Sequence, residues 1–228
     1  MRHIVIGDIH GRDNWQRINI KSCDKIIFIG DYVDSPTLSD YAILENFKKI
    51  INLKKRHMDK VILLLGNHDA HYLHYPHHQC SGFRKSMQRD LTAILRRNAD
   101  LFQIAYQKDN YLFTHAGVTN NWYNEIQRLP KIKEFGETAA NIAGQLNQIE
   151  HSAFRTHLYD AGISRGGYGC GGPLWADLKE SFSDCLHGCH QIVGHTKVEE
   201  IRTISYTDRS ITYTDVLTAR EQFHELDI

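Results

Sequence analysis

The stretch Gly30-Asp31-Tyr32-Val33-Asp34 follows the apolar run Lys25-Ile26-Ile27-Phe28-Ile29, which reads as a buried strand. A strand end therefore delivers Asp31 to the edge of a sheet. A carboxylate there can bridge two cations, one oxygen to each, and the preceding glycine lets the backbone turn. Taken alone, Asp after Gly is more commonly a turn or helix-capping residue. Repetition changes its weight. Ile4-Val5-Ile6 runs into Gly7-Asp8-Ile9-His10-Gly11, Val61-Ile62-Leu63-Leu64-Leu65 into Gly66-Asn67-His68-Asp69, Tyr111-Leu112-Phe113 into Thr114-His115-Ala116-Gly117, and Gln191-Ile192-Val193 into Gly194-His195-Thr196. In an α/β sheet the carboxyl ends of neighbouring parallel strands share one edge, where ligands bind. A chain with five such breaks is constrained to a fold that brings them together.

The length of 228 residues suits one good core, so residues 1–228 are expected to form one domain. With 41% apolar and 24% charged residues the composition excludes extended disorder. Lys and Arg total 27 against 27 Asp and Glu. Bulk charge thus favours neither nucleic acid nor an anionic membrane, and phosphate recognition has to be local. The N-terminal residues enter the first strand without the apolar stretch of a signal peptide, and no later run could span a bilayer, so a cytoplasmic location is expected. The five cysteines, Cys23, Cys80, Cys170, Cys185 and Cys189, are odd in number and widely spaced, which points to free thiols. Cys185 and Cys189-His190 could form half of a zinc site, but no second cysteine pair accompanies them.

Between the motifs, Asn14 to Ile20 reads as a short helix and Leu38 to Arg56 as a long amphipathic one. Ser86 to Asn98 reads as a surface helix, and Asn121 to Arg128 and Ile132 to Ile149 as further helical stretches. Phe102 to Tyr106 and Tyr111 to Phe113 are expected to pair as a hairpin, and the runs 200–206, 210–216 and 220–226 as a closing antiparallel meander. His71, His74, His77 and His78, irregularly spaced among aromatic residues, read as a half-buried loop beside the site rather than a further metal patch. The glycine-rich stretch from Ser164 to Pro173 is either a flexible connection or an active-site loop. In the second reading Arg165 approaches a phosphate and Trp175 packs to anchor the loop's far end.

The collected donors are Asp8, His10, Asp31, Asn67, His115 and His195, with His68 and Asp34 beside them. Carboxylate, imidazole and amide ligands without thiolate favour manganese, iron or zinc over magnesium or calcium. Two such ions sharing a carboxylate and a water make that water a nucleophile at neutral pH and hold phosphate oxygens. Phosphoester hydrolysis is the reaction that suits such a site.

In their order, Gly7-Asp8-Ile9-His10-Gly11, Gly30-Asp31-Tyr32-Val33-Asp34, Gly66-Asn67-His68-Asp69, His115-Ala116-Gly117 and Gly194-His195 resemble the signature of the calcineurin-like metallophosphoesterases. Within these the chain is most similar to the phosphoprotein phosphatase branch, including its small bacterial and lambda-phage enzymes. The resemblance implies an α/β sandwich of two central mixed sheets flanked by helices. It implies two divalent cations, manganese first: Asp8, His10 and Asp31 around one, and Asp31, Asn67, His115 and His195 around the other. It also implies that His68 protonates the leaving alkoxide while Asp34 orients its imidazole. The substrate implied first is phosphoserine or phosphothreonine in proteins; dinucleoside polyphosphates or polynucleotide-end phosphates are the alternative. A catalytically silent metal-binding module and a nuclease are weaker readings. The chain departs from the family pattern twice. Asp34-Ser35-Pro36 lacks the usual arginine after the aspartate, a charge that Arg165 is expected to supply, and Asp69 stands where protein phosphatases commonly carry glutamate.

Overall fold

The computed structural model describes residues 1–228. Period-two alternation decides the layering. Ile4, Ile6, Ile26, Phe28, Val61 and Leu63 point to one face and join a core of 41 buried residues. Val5, Ile27, Ile29 and Leu64 point to the other and meet Phe113 and Ile192 in a smaller cluster. Strands with both faces apolar have to be covered on both sides, and the chain does this with a second sheet on one face and helices on the other.

The first sheet has the order β10-β1-β2-β3-β4, formed by β1 (Arg2–Ile6), β2 (Lys25–Phe28), β3 (Val61–Leu64), β4 (Phe102–Gln103) and β10 (His224–Asp227). β1 to β4 run parallel, and β10 lies antiparallel on β1. The second sheet has the order β5-β6-β7-β9-β8, formed by β5 (Ala105–Lys108), β6 (Tyr111–Thr114), β7 (His190–Val193), β8 (Arg202–Ser205) and β9 (Ser210–Tyr213). Its central strands β6, β7 and β9 are parallel, with antiparallel partners at both edges. The two mixed sheets are flanked by seven helices: α1 (Asp40–Arg56), α2 (Asn67–Leu73), α3 (Gln88–Arg97), α4 (Asn120–Gln127), α5 (Pro130–Thr138), α6 (Ile142–Glu150) and α7 (Leu178–Asp184). None is long and apolar enough to cross a membrane.

Side-chain caps set several helix starts. The side chains of Ser39, Thr119, Asn141 and Asp177 accept from the backbone N–H of Ala42, Trp122, Gly144 and Lys179, satisfying donors that the first turn leaves free. The cap at Asn141 explains why Ile132 to Ile149 is two helices rather than one. Asn14 to Ile20 reduces to a single 3-10 turn over Asn14–Arg17, with a second at Ile20–Ser22.

Two sequence expectations about pairing are corrected. Phe102 to Tyr106 is not one strand: Phe102–Gln103 extends the first sheet, and the chain crosses at Ile104 so that Ala105–Lys108 pairs with β6 in the second. The closing meander is likewise split. β8 and β9 pair antiparallel in the second sheet, while His224–Asp227 returns to the first. Alternation marks a strand but carries no information on which sheet receives it.

The crossover between β4 and β5 is held by Asn147 of α6. Its Oδ1 accepts from Ile104 N at 2.9 Å and Ala105 N at 3.1 Å, and its Nδ2 donates to Ala105 O at 2.9 Å. Asn147→Ala strands these backbone groups, and the expected loss is about 2 kcal/mol of unfolding free energy. Urea denaturation measures this, and an unchanged midpoint would show that the amide does not hold the crossover.

Candidate functional site

The strand ends of both sheets open at one edge, and hydrogen bonds lace their loops together. His10 N donates to Asp31 O at 2.7 Å and Gly11 N to Tyr32 O at 2.9 Å, joining the first loop to the second. His68 N donates to Asp31 Oδ1 at 2.9 Å. The Asp69 carboxylate accepts from Tyr32 N at 2.9 Å and Gly66 N at 3.0 Å, joining the second loop to the third. His195 N reaches Asp8 Oδ1 and Oδ2 at 3.0 and 3.1 Å, joining the last motif to the first. His10, Asp31, Asp34 and His195 have φ of 42°, 51°, 59° and 63°. Such left-handed values persist in non-glycine residues where the surroundings hold them, and they concentrate at functional sites. Two glycines are required by close approach: a Cβ at Gly66 would strike the Asp31 carboxylate, and one at Gly194 would strike that of Asp8.

Asp31 is at the centre of the donors. Its Oδ2 lies 3.7 Å from His10 Nε2 and 3.5 Å from His115 Nε2. Two groups of three donors share it, one with His10 and His68 and one with His115 and His195, the donor atoms of each lying within 4.8 Å of one another. Asn67 Oδ1 is 2.9 Å from both His115 Nε2 and His195 Nδ1. Asp8 Oδ2 is 4.0 Å from His10 Nε2. The rings of His10 and His115 are fixed from behind, with Nδ1 at 2.9 Å from Val33 O and 3.0 Å from Ile29 O. A proton on each Nδ1 donates to the carbonyl and leaves the Nε2 lone pair facing the cluster, the usual support of a metal-binding histidine.

His68 differs from the other imidazoles. Its Nδ1 is 3.0 Å from Asp34 Oδ2, and Asp34 is held in turn by Tyr72 Oη, which donates to Oδ1 at 2.6 Å, and by His71 Nε2, 2.7 Å from Oδ2. Burial opposes charge on His68, but the Asp31 and Asp34 carboxylates outweigh it and raise the imidazolium pKa to about 9. Burial lowers the pKa of His115 and, helped by the neighbouring His115, that of His195, so both are neutral and available as ligands.

Sequence reasoning missed Asp215, which follows β9. It is 1% exposed, and neither of its carboxylate oxygens has a hydrogen-bond partner. Burial and the charges of Asp215 and Asp31 push Asp8 up, and burial also pushes Asp215 up. Asp31, although burial works against its charge, is held below the ordinary carboxylate range by His115, His68, His10 and His195. These crowded carboxylates, with Asp215 left unpartnered among the imidazoles, fit a site for divalent cations of intermediate softness. Asp215 was missed because Tyr213-Thr214-Asp215 contains no glycine. The apolar strand before it was the available signal.

His10, Asp31, Asn67, His195 and Asp215 line a cleft of about 670 Å³, with Arg12, Arg84, Arg165 and Lys197 on its walls. Arg165 Nε pairs with Asp177 Oδ2 at 2.9 Å and Nη2 donates to Thr196 Oγ1 at 3.1 Å. Trp175 packs its ring edge-on against His195, 5.6 Å between centroids. Arg84 stands beside the position where the arginine after Asp34 is lacking, but its guanidinium is committed to the Ser35 and Leu38 carbonyls and to Asp40. The segment His71 to His78 divides. His71 and Tyr72 are fully buried on α2, one turn beyond His68, a spacing that puts them on its side of the helix. His74 turns away to Glu150 and Tyr159. Cys185 and Cys189 are buried free thiols.

The calcineurin-like phosphoesterase family profile matches residues 1–198. No curated protein matches the chain significantly. Among solved structures, a cold-active protein-tyrosine phosphatase of a psychrophilic Shewanella species is 15% identical with a TM-score of 0.55, over 96% of this chain and 72% of that one. A protein serine/threonine phosphatase from Saccharomyces cerevisiae is 16% identical with a TM-score of 0.52, over 93% and 67%. At these identities the likeness is one of fold.

Replacing Asp215 by Asn removes a buried negative charge beside Asp8. Below about pH 4 both carboxyls are protonated and the substitution is close to neutral. At pH 7 to 8 it is expected to raise the unfolding temperature of chelator-treated protein and to shrink the further rise on adding manganese. Thermal unfolding with and without the ion measures both, and a lower metal-free midpoint would contradict the repulsion.

Proposed function

The chain belongs to the calcineurin-like phosphoesterase family, and we propose that it is a metal-dependent phosphomonoesterase acting on phosphoserine and phosphothreonine of proteins. The observation that carries this reading is the juxtaposition of the His68–Asp34 pair with two donor groups sharing Asp31, at the floor of an open cleft with cationic walls. Asp8, His10 and Asp31 would hold one divalent cation, and Asp31, Asn67, His115 and His195 a second, with manganese the ion this donor set favours. When bound, the cations supply positive charge to the phosphoryl oxygens and acidify a water for attack at phosphorus.

The chain's own residues do the rest. His68 keeps one proton on Nδ1 for Asp34 and delivers the other from Nε2 to the departing alkoxide oxygen. An alkoxide is a poor leaving group, so this protonation is where a positioned acid gains most. Tyr72 fixes Asp34, so the imidazole stays aimed as it loses its proton. Arg165 has five guanidinium N–H donors, of which Asp177 and Thr196 engage two, and the remainder serve a phosphate oxygen in the cleft. Trp175, against His195, keeps water from the ring edge that the ligand does not use.

Protein substrates are favoured by the open cleft, which admits a phosphorylated side chain carried on a loop, and by the protein phosphatases among the structural neighbours. Dinucleoside polyphosphates are the second reading, favoured by Arg12, Arg165 and Lys197 around one cleft, more cationic groups than a single phosphoryl group requires. Turnover of phosphopeptides against diadenosine tetraphosphate, with manganese supplied, separates them. Faster cleavage of the second would reject the protein substrate, and no hydrolysis of either, nor of p-nitrophenyl phosphate, would leave a binding module.

His68→Asn is expected to lower kcat for a phosphoserine peptide by about 10²–10⁴-fold, with metal content unchanged. The loss should be smaller for p-nitrophenyl phosphate, whose leaving group needs no proton. Near-normal turnover of the peptide would refute the acid role. Arg165→Ala is expected to raise KM about 10–100-fold, in line with the roughly 1.5–3 kcal/mol of a charged hydrogen bond, and unchanged KM and kcat would remove Arg165 from the site.

A further inference from the structure

Beside the catalytic pair lies a second donor cluster that the hydrolytic reading leaves without a ligand. The ligand atoms of His68, His71 and Cys80 lie within 4.8 Å of one another. Cys80 Sγ is 3.2 Å from His71 Nδ1, while His71 Nε2 and His68 Nδ1 stand 2.7 and 3.0 Å from the same oxygen of Asp34. His71 is fully buried, and its Nε2 makes no well-directed hydrogen bond in spite of that proximity. Cys80 is half-exposed on the loop after α2, which gives an ion a way in.

The thiol sets this cluster apart from the donors around Asp31. Manganese and magnesium bind thiolate poorly, whereas two imidazoles and a thiolate are a ligand set that zinc takes readily, with water in the fourth position. We propose that His68, His71 and Cys80 form a zinc-binding site, and that zinc bound there inhibits the phosphatase by sequestering the His68 imidazole. The inhibitory half of this rests on the proposed role of His68. Binding forms zinc–sulfur and zinc–nitrogen bonds, releases the thiol proton of Cys80 and one proton of the His68 imidazolium to solvent, and involves no change of oxidation state. Burial, with the charge of Asp31 nearby, pushes the Cys80 thiol up to about 12. The free thiol is thus protonated at neutral pH, and it is the ion that draws the proton off.

Zinc could also inhibit by replacing manganese at the Asp31 donors, so the test removes the thiol alone. Manganese-loaded wild type, Cys80→Ser and Cys80→Ala are titrated with zinc during hydrolysis of p-nitrophenyl phosphate. The expected result is a half-inhibitory zinc concentration at least about tenfold higher in both variants, with excess manganese unable to restore the wild type. Cobalt supplies a readout independent of turnover: a sulfur-to-cobalt charge-transfer absorption in the near ultraviolet that is present in the wild type and lost in both variants. Equal zinc sensitivity in the three proteins, or a cobalt band that survives loss of Cys80, would overturn the proposal. Should the protein hydrolyse no phosphoester, the cobalt band still decides the site, so its failure and that of the phosphatase reading are distinguishable.

Discussion

Four carboxylates, Asp8, Asp31, Asp69 and Asp215, are buried at one edge of the molecule, each with no more than 2% of its surface exposed. Removing that much negative charge from water is costly unless it is hydrogen-bonded or paired. The chain meets part of the cost. Backbone N–H groups of Tyr32 and Gly66 serve Asp69, that of His68 serves Asp31, and that of His195 serves Asp8. The positive charge of His68 helps to hold Asp31 ionised. Asp215 receives no hydrogen bond at all. A surplus of buried negative charge that the protein leaves uncompensated is the physical condition that invites cations, and the surrounding geometry follows from holding it in place.

That geometry explains why strain is tolerated where it is. His10, Asp31, Asp34 and His195 occupy left-handed backbone conformations, each costing on the order of 1–3 kcal/mol if unsupported. They are supported because each loop bonds to a neighbour's backbone or carboxylate, so no one loop relaxes without disturbing another. The donors also come from both layers: Asp8, His10, Asp31 and Asn67 follow strands of the first sheet, while His115, His195 and Asp215 follow the three parallel strands of the second. The crossing at Ile104, pinned by Asn147, fixes one layer relative to the other.

Much of this was legible in the sequence because each donor follows an apolar run and, in most cases, a glycine, so local pattern alone placed it at a strand end. The two-sheet architecture came from the resemblance rather than from periodicity, which is why the split of Phe102 to Tyr106 and the fate of His224–Asp227 were misjudged: neither alternation nor turn chemistry specifies which sheet a strand joins. Asp215 lacked the glycine that flagged the others. His71 and Tyr72 were set aside with a histidine-rich loop, although their distance from His68 along one helix placed them beside it. Arg84 near Ser35 was invisible for a different reason, since its pairing spans nearly fifty positions and depends wholly on tertiary packing.

β10 pairs with β1 in register from Arg2 opposite Asp227 to Val5 opposite His224. The strand that leads into Asp8 and His10 therefore leaves the ribosome well before the partner on this flank, which stays bare until more than two hundred further residues have been made. During that interval the exposed N–H and C=O groups of β1 are a template for any extended peptide. Biogenesis of this protein thus has a window of vulnerability at β1, closed only when β10 arrives.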